Sequence, residues 1–163
     1  MSSRALAALG AVAALTVACG ASSDPASVTY TLQFPSTAAA VYADSVQLLV
    51  FDAPAGPARA SLCSSLVQKR RSQQELGPRL AEVNLGNVCE TRDQKRPVTV
   101  DFGEVALLAV GQHGGTDFYI GCSLQSVGDG ALPVPIYMTP IHDRETPATT
   151  CTSVSQFCSK GCN

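Results

Sequence analysis

The most reactive side chains of this chain belong to its seven cysteines, which are Cys19, Cys63, Cys89, Cys122, Cys151, Cys158 and Cys162. Thiols pair in an oxidising compartment, so exported proteins usually carry an even number of them. After the first, three of these cysteines lie in the body of the chain and three lie within its last 13 residues. If these six all pair, one or three bridges must connect the C-terminal tail to the body, because an odd number of thiols cannot pair among themselves.

The cysteine count constrains the disulfide connectivity only in part. We expect one bridge within the body, from Cys63 to Cys89 or to Cys122, one within the tail, and one between the two. Cys158 and Cys162 are separated by three residues rather than two, which does not fit a thioredoxin-like redox motif. A zinc site formed by His142 with the three tail cysteines would have spacings typical of no zinc pattern. The sequence therefore predicts disulfides, with no metal and no cofactor.

The two histidines are the residues that could support acid–base catalysis. His113 lies in the segment HGGTD, four residues before Asp117, and His142 begins the polar segment HDRE. A Ser–His–Asp triad also needs a positioned serine and an oxyanion hole, and no G-x-S-x-G motif is present. A plain loop at each histidine is therefore favoured. A small envelope hydrolase using His113 or His142 is the alternative function, and a disulfide-rich inhibitor of secreted enzymes is another.

Charge is unevenly distributed along the chain. The formal net charge is −2, which does not indicate nucleic-acid binding, but residues 59–96 carry eight basic and four acidic side chains. A solvated connection between strands is one interpretation of this segment. The other is an interaction surface for an anionic protein partner, centred on Lys69, Arg70, Arg71 and Arg79.

The N-terminus has the pattern of an export signal. Arg4 precedes an apolar stretch from Ala5 to Val17, which is too short to span a bilayer as a helix. The segment LTVACG is similar to the lipobox of bacterial lipoproteins, with Ala18 before the cysteine. This resemblance implies a signal peptide at 1–18 and a lipid on Cys19, which would attach the chain to a membrane. Gly20 after that cysteine implies the outer membrane. Ordinary cleavage after Ala21, giving a secreted soluble protein, is the alternative.

Apolar periodicity predicts a mainly β fold. Residues 28–34 alternate strictly, and residues 45–52 are apolar on both faces, as expected of a central strand. Further strands are predicted at 97–102, 104–112, 118–124 and 132–141, with a weak strand at 83–88. HGGTD should form a five-residue hairpin loop. Pro133 and Pro135 place the last strand at a sheet edge, because proline lacks the backbone N–H.

These elements predict an antiparallel β-sandwich of about six to seven strands. Within residues 58–76, apolar side chains at helical spacing before Gly77-Pro78 predict one short helix. The tail has few large apolar side chains and should depend on disulfides for its fold. The predicted organisation is a signal peptide (1–18), a lipidated flexible tether (19–27), a β-sandwich domain (28–142) and a cysteine-rich tail (143–163).

Taken together, the stretches VQLLVFDA, PVTVDFGEVALLAVGQ and FYIGCS resemble those of small cysteine-rich lipoproteins of myxobacteria, over residues 45–124. The resemblance implies a transthyretin-like or immunoglobulin-like sandwich in an envelope-anchored, non-enzymatic protein. We therefore expect a lipid-anchored binding or structural module, in the periplasm or on the cell surface, with a protein partner in the envelope.

Overall fold

The computed structural model describes residues 25–93, 97–128, 132–142 and 146–162. The predicted signal peptide, most of the tether with Cys19, and the start of the predicted tail at 143–145 lie outside these ranges. The described residues form nine strands and four helices: β1 Ala26–Val28, β2 Tyr30–Gln33, α1 Thr37–Tyr42, β3 Ser45–Asp52, α2 Pro57–Arg71, β4 Ala81–Leu85, α3 Val88–Arg92, β5 Val98–Val100, β6 Gly103–His113, β7 Thr116–Val127, β8 Val134–Tyr137, β9 Thr139–Pro140 and α4 Val154–Cys158.

A five-stranded antiparallel sheet, here called the main sheet, has the strand order β4-β3-β6-β7-β9. The longest ladder joins β6 to β7 through the two-residue turn Gly114-Gly115. Both glycines have positive φ, +55° and +76°, as a hairpin turn of this length requires. The predicted five-residue loop is thus shorter, because His113 and Thr116 already pair with each other.

Both faces of the main sheet are covered, which explains why β3 and β6 are almost continuously apolar. On one face, Leu66 of α2 packs with Leu49 and Leu108 in one core. On the other face, two small ladders pack against the sheet and complete a larger core around Leu48 and Leu107. One of these ladders is antiparallel, β1 with β5, and the other is parallel, β2 with β8. The mainly β, largely antiparallel fold predicted from periodicity is therefore present.

Several predicted elements differ in their bounds. The alternating segment 28–34 is divided at Thr29, because β1 pairs with β5 whereas β2 pairs with β8. The segment 132–141 is divided in the same way into β8 and β9. These two divisions account for nine strands where six to seven were predicted. Helix α2 extends over 15 residues, and the three short helices α1, α3 and α4 were not predicted.

Three disulfides connect the elements. Cys63–Cys122 ties α2 to β7, Cys89–Cys158 ties α3 to α4, and Cys151–Cys162 closes the tail on itself. The tail is thus covalently joined to the body by one bridge, with one bridge within each part, which agrees with the expected pairing. Such pairing indicates an oxidising, extracytoplasmic environment. Among the described helices, none is long and apolar enough to cross a membrane.

Candidate functional site

An open groove of about 510 Å³ lies beside β2 and is here called the β2 groove. It is bounded on one side by β2 and the residues that follow it, and on the other by α3 and the start of α4. Among the described residues its lining is Tyr30, Thr31, Leu32, Gln33, Phe34, Ser36, Thr37, Ala40, Val88, Thr91, Arg92 and Val154. Apolar side chains make up the larger part of the surface, and a few hydroxyl and amide groups lie among them.

The three short helices around the groove each begin at a residue that caps the helix N-terminus. Ser36 accepts a hydrogen bond from the Ala39 N–H, and Asn87 accepts from the Cys89 and Glu90 N–H groups. Ser153 accepts from the Gln156 N–H at the start of α4. A side-chain cap supplies about 1 kcal/mol, which matters for helices of five or six residues that are too short to be stable alone.

The Cys89–Cys158 disulfide fixes the wall of the β2 groove. It joins α3, which contributes Val88 and Thr91, to α4, which contributes Val154. Helix α4 has no buried residue of its own, so packing alone would hold it weakly. The position of α4 beside the groove therefore depends on the Cys89–Cys158 bridge.

Arg92 is the one charged residue among the described residues that line the groove. Its Nε donates a hydrogen bond of 2.7 Å to the Asp93 carboxylate, and the side chain remains exposed. At the opposite side of the groove, burial raises the pKa of the Tyr30 hydroxyl, which keeps that group neutral. The described lining thus contains one cation, Arg92, which is paired with Asp93 just outside the lining, and no carboxylate.

The predicted interaction surface is divided between two places. Lys69, Arg70 and Arg71 form the last turn of α2, near the hairpin turn of β6 and β7. Arg79 lies just before β4, at the opposite edge of the main sheet, and forms an ion pair of 2.8 Å with Glu82. Arg71 is exposed and donates to the Pro140 carbonyl at 3.0 Å. The four basic residues therefore do not form one continuous patch.

Arg70 binds the Asp117 carboxylate with two hydrogen bonds, 2.6 Å from Nε and 3.1 Å from Nη2. Gln112 donates a third to the same carboxylate at 2.8 Å. Burial alone would raise the pKa of Asp117, but the hydrogen bonds from Arg70 and Gln112 and the charge of Arg70 outweigh it and hold the pKa below its usual value. This pair connects the C-terminal end of α2 to the start of β7.

This lowered pKa gives a pH-dependent prediction. The unfolded chain takes up the Asp117 proton first as the pH falls, so the stabilisation is complete above the usual carboxyl pKa of about 4 and is lost as the pH falls through the folded value. Asp117→Asn should lower the free energy of unfolding by about 1 kcal/mol at neutral pH, allowing for solvent screening. Urea denaturation from about pH 7 to about pH 2 should show this difference shrinking below about pH 4. A difference independent of pH would contradict the assignment.

The His113 ring is held in place by contacts with Tyr42 and Asp44. Its Nδ1 donates to the Tyr42 carbonyl at 2.8 Å, with Asp44 Oδ2 at 3.4 Å, and its ring stacks on Tyr42 at 4.0 Å. Ser45 Oγ, 3.2 Å from Asp44 Oδ1, donates to the acid rather than approaching the imidazole. His142 lines a cavity of about 330 Å³ with Arg70 and Arg71. Among the described residues, the structure does not bring a serine, a histidine and an acid into a triad at either histidine.

The tail cysteines and His142 do not form a zinc site. Cys151, Cys158 and Cys162 are all in disulfides, so they have no thiolate to offer a metal. Within the described residues no group of three or more histidine, cysteine or acidic side chains could hold a metal ion.

Sequence patterns did not identify the β2 groove. Its lining comes from three parts of the chain that are far apart in sequence, and two of them, α3 and α4, have too few apolar residues for a periodic signal. The usable signals were the capping residues Asn87 and Ser153, each at the start of a short segment that contains a cysteine.

Searches of protein families, of curated proteins and of solved structures found no match to this chain.

Proposed function

We propose that this chain is a lipid-anchored binding module of the bacterial cell envelope, without catalytic activity, and that it binds an extended peptide segment of a protein partner in the β2 groove. In this proposal Cys19 carries a lipid, and the lipid attaches the chain to the outer membrane. The main sheet and the two small ladders act as the layers of a β-sandwich that holds the groove rigid. The observation that carries the proposal is the groove itself, bounded by a strand and by a tail that a disulfide holds in place.

The size and shape of the groove favour a peptide. Its volume of about 510 Å³ lies in the range of ligand sites, which is about 300–1,000 Å³. Five consecutive residues, 30–34, line one side. At about 3.3 Å per residue they extend over roughly 17 Å, which matches a similar number of ligand residues in extended conformation. The half-buried Leu32 and Phe34 offer apolar contacts to side chains of the ligand.

Charge restricts the ligand further. The described lining contains Arg92 and no carboxylate, so complementarity favours an apolar peptide that carries Asp or Glu. Lys69 and Arg71 at the end of α2 provide a second positive surface for an anionic region of the same partner. This surface lies away from the groove, beside the hairpin turn.

Selection from a library of short random peptides displayed on phage tests the proposal. Peptides enriched on the wild-type protein should combine apolar residues with Asp or Glu. Arg92→Glu should weaken the binding of such a peptide by about tenfold and should shift the enriched set towards Lys and Arg. Arg71→Glu reverses the charge of an exposed arginine outside the groove, and it tests with the same short peptides whether they bind instead at the end of α2.

The possible outcomes separate the two surfaces. Enrichment that changes with Arg92→Glu and not with Arg71→Glu supports binding in the β2 groove. The opposite pattern assigns the ligand to the end of α2 and contradicts the groove assignment. Failure to enrich any sequence would contradict a peptide-binding function.

A further inference from the structure

The end of the domain at which the chain enters β1 carries two exposed apolar side chains. Ala26, the first residue of β1, pairs with Val100, the last residue of β5. Phe102 follows two residues later, before β6 begins, and is 44% exposed. Leu132 precedes β8 and is 82% exposed. Val134, two residues after Leu132, pairs with Tyr30 at the start of the parallel β2–β8 ladder, so Leu132 lies beyond that ladder on the side from which β1 enters.

The chain length between Cys19 and this end is short. Six residues separate that cysteine from Ala26. Even a fully extended chain spans at most about 3.3–3.6 Å per residue, so the first strand can lie no more than roughly 25 Å from Cys19. A lipid on this cysteine would therefore keep Phe102 and Leu132 close to the bilayer surface.

The opposite end of the main sheet has a different character. It carries the Gly114-Gly115 turn and the basic last turn of α2. Near the start of α2, Arg59 pairs with Glu104 at the chain-entry end, and near its end Arg70 pairs with Asp117 beside the turn. Two other large apolar side chains are exposed among the described residues: Leu80 precedes the edge strand β4 and Tyr137 ends β8.

We infer that Phe102 and Leu132 form a membrane-contacting surface, which inserts into the interfacial region of the bilayer and orients the domain with the end of α2 pointing away from it. This inference rests on the proposed lipid anchor. Large apolar side chains favour the boundary between headgroups and acyl chains. Exposed Asp101, next to Phe102, favours electrically neutral lipid over anionic lipid. Membrane contact by two side chains is weak alone, and the anchor makes it effective by raising the local concentration of the surface.

The absence of tryptophan from the sequence permits a direct test. Leu132→Trp and Phe102→Trp each introduce a single indole into the proposed surface, and Tyr137→Trp is the matched control at an exposed site at the end of β8. Each full-length variant is purified from membranes after growth with labelled fatty acid, with Cys19→Ala as the labelling control. The labelled protein is then reconstituted into phosphatidylcholine vesicles with brominated acyl chains.

We expect bromine to quench the indole fluorescence of the Leu132→Trp and Phe102→Trp variants at least about twofold more strongly than that of the Tyr137→Trp variant, because only the first two should insert into the bilayer. If the label is incorporated but quenching is equal in all three variants or absent from all of them, Phe102 and Leu132 do not contact the membrane. The lipid anchor would then still be supported. Label that also enters Cys19→Ala, or that enters neither protein, would overturn the anchor and this inference with it.

A second copy of the chain is the other possible occupant of this surface. A blue shift of the Leu132→Trp emission that depends on protein concentration and occurs without quenching would indicate contact with a second copy, and would also contradict the inference. Retention of all three disulfides in each variant shows that it is folded.

Discussion

Replacing Cys89 and Cys158 together by serine should lower the free energy of unfolding by about 4 kcal/mol. The bridge joins residues separated by 69 positions, and in the chain-entropy description a longer closed loop gives a larger stabilisation. Among the three described bridges, it is the one that ties the tail to the body. Urea denaturation monitored by circular dichroism measures the change.

The same double substitution should abolish peptide binding, because α4 would no longer be held against α3 beside the β2 groove. Cys151→Ser with Cys162→Ser is the matched control. The Cys151–Cys162 bridge joins residues separated by only 11 positions, and its removal leaves the tail attached to the body. The expected loss of stability is therefore smaller, about 3 kcal/mol. If the control reduced stability and peptide binding as much as the first pair does, the bridge to the body would have no special role.

Gly121→Ala should lower the free energy of unfolding by about 3 kcal/mol through steric overlap. Gly121 lies in β7 where β8 crosses it closely, and a Cβ there would overlap the Tyr137 carbonyl oxygen and lie 2.9 Å from Ile136 Cγ2. Backbone cannot move aside as a flexible side chain can, so β8 would have to shift away from the main sheet. Because β8 pairs with β2, this shift should also weaken peptide binding in the groove.

Gly128→Ala provides the control for this substitution. Among the described residues, no heavy atom lies within 4 Å of the position of a Cβ added to Gly128, and Gly128 does not have a positive φ. Its replacement should change stability by less than about 0.5 kcal/mol. Thermal and urea unfolding of both variants measures the difference in stability. Equal losses of stability would show that the close approach of β8 to Gly121 is not the reason why alanine destabilises this position.

Periodicity predicted the central strands well because their burial depends on local sequence. Residues 45–52 form β3 with the predicted bounds, since a strand covered on both faces has a continuous apolar run. The alternation from Val28 to Phe34 also correctly placed Val28 and Tyr30 in the core. What alternation could not show is that the chain changes its pairing partner at Thr29, because that depends on β5 and β8, which lie much further along the chain.

Cysteine parity predicted that a bridge joins the tail to the body, and it did so without any structural information. The groove that this bridge supports could not be predicted in the same way. Its wall is made by α3 and α4, whose formation depends on capping by Asn87 and Ser153 and on the bridge itself rather than on hydrophobic patterning. Sequence analysis could predict sites that consist of reactive residue types, such as the cysteines. It could not predict the groove, because the groove is defined by the shape of the fold.

The order of the cysteine partners has a consequence for biogenesis. A chain threaded through a translocation channel from its N-terminus exposes Cys63 and Cys89 before the other described cysteines, yet neither is the partner of the other in the fold. An oxidant that joins thiols in order of emergence would produce a non-native crosslink. For a chain exported in this way, we expect maturation to need thiol–disulfide exchange once Cys122 and Cys158 have emerged, so its yield should fall when an isomerase is removed.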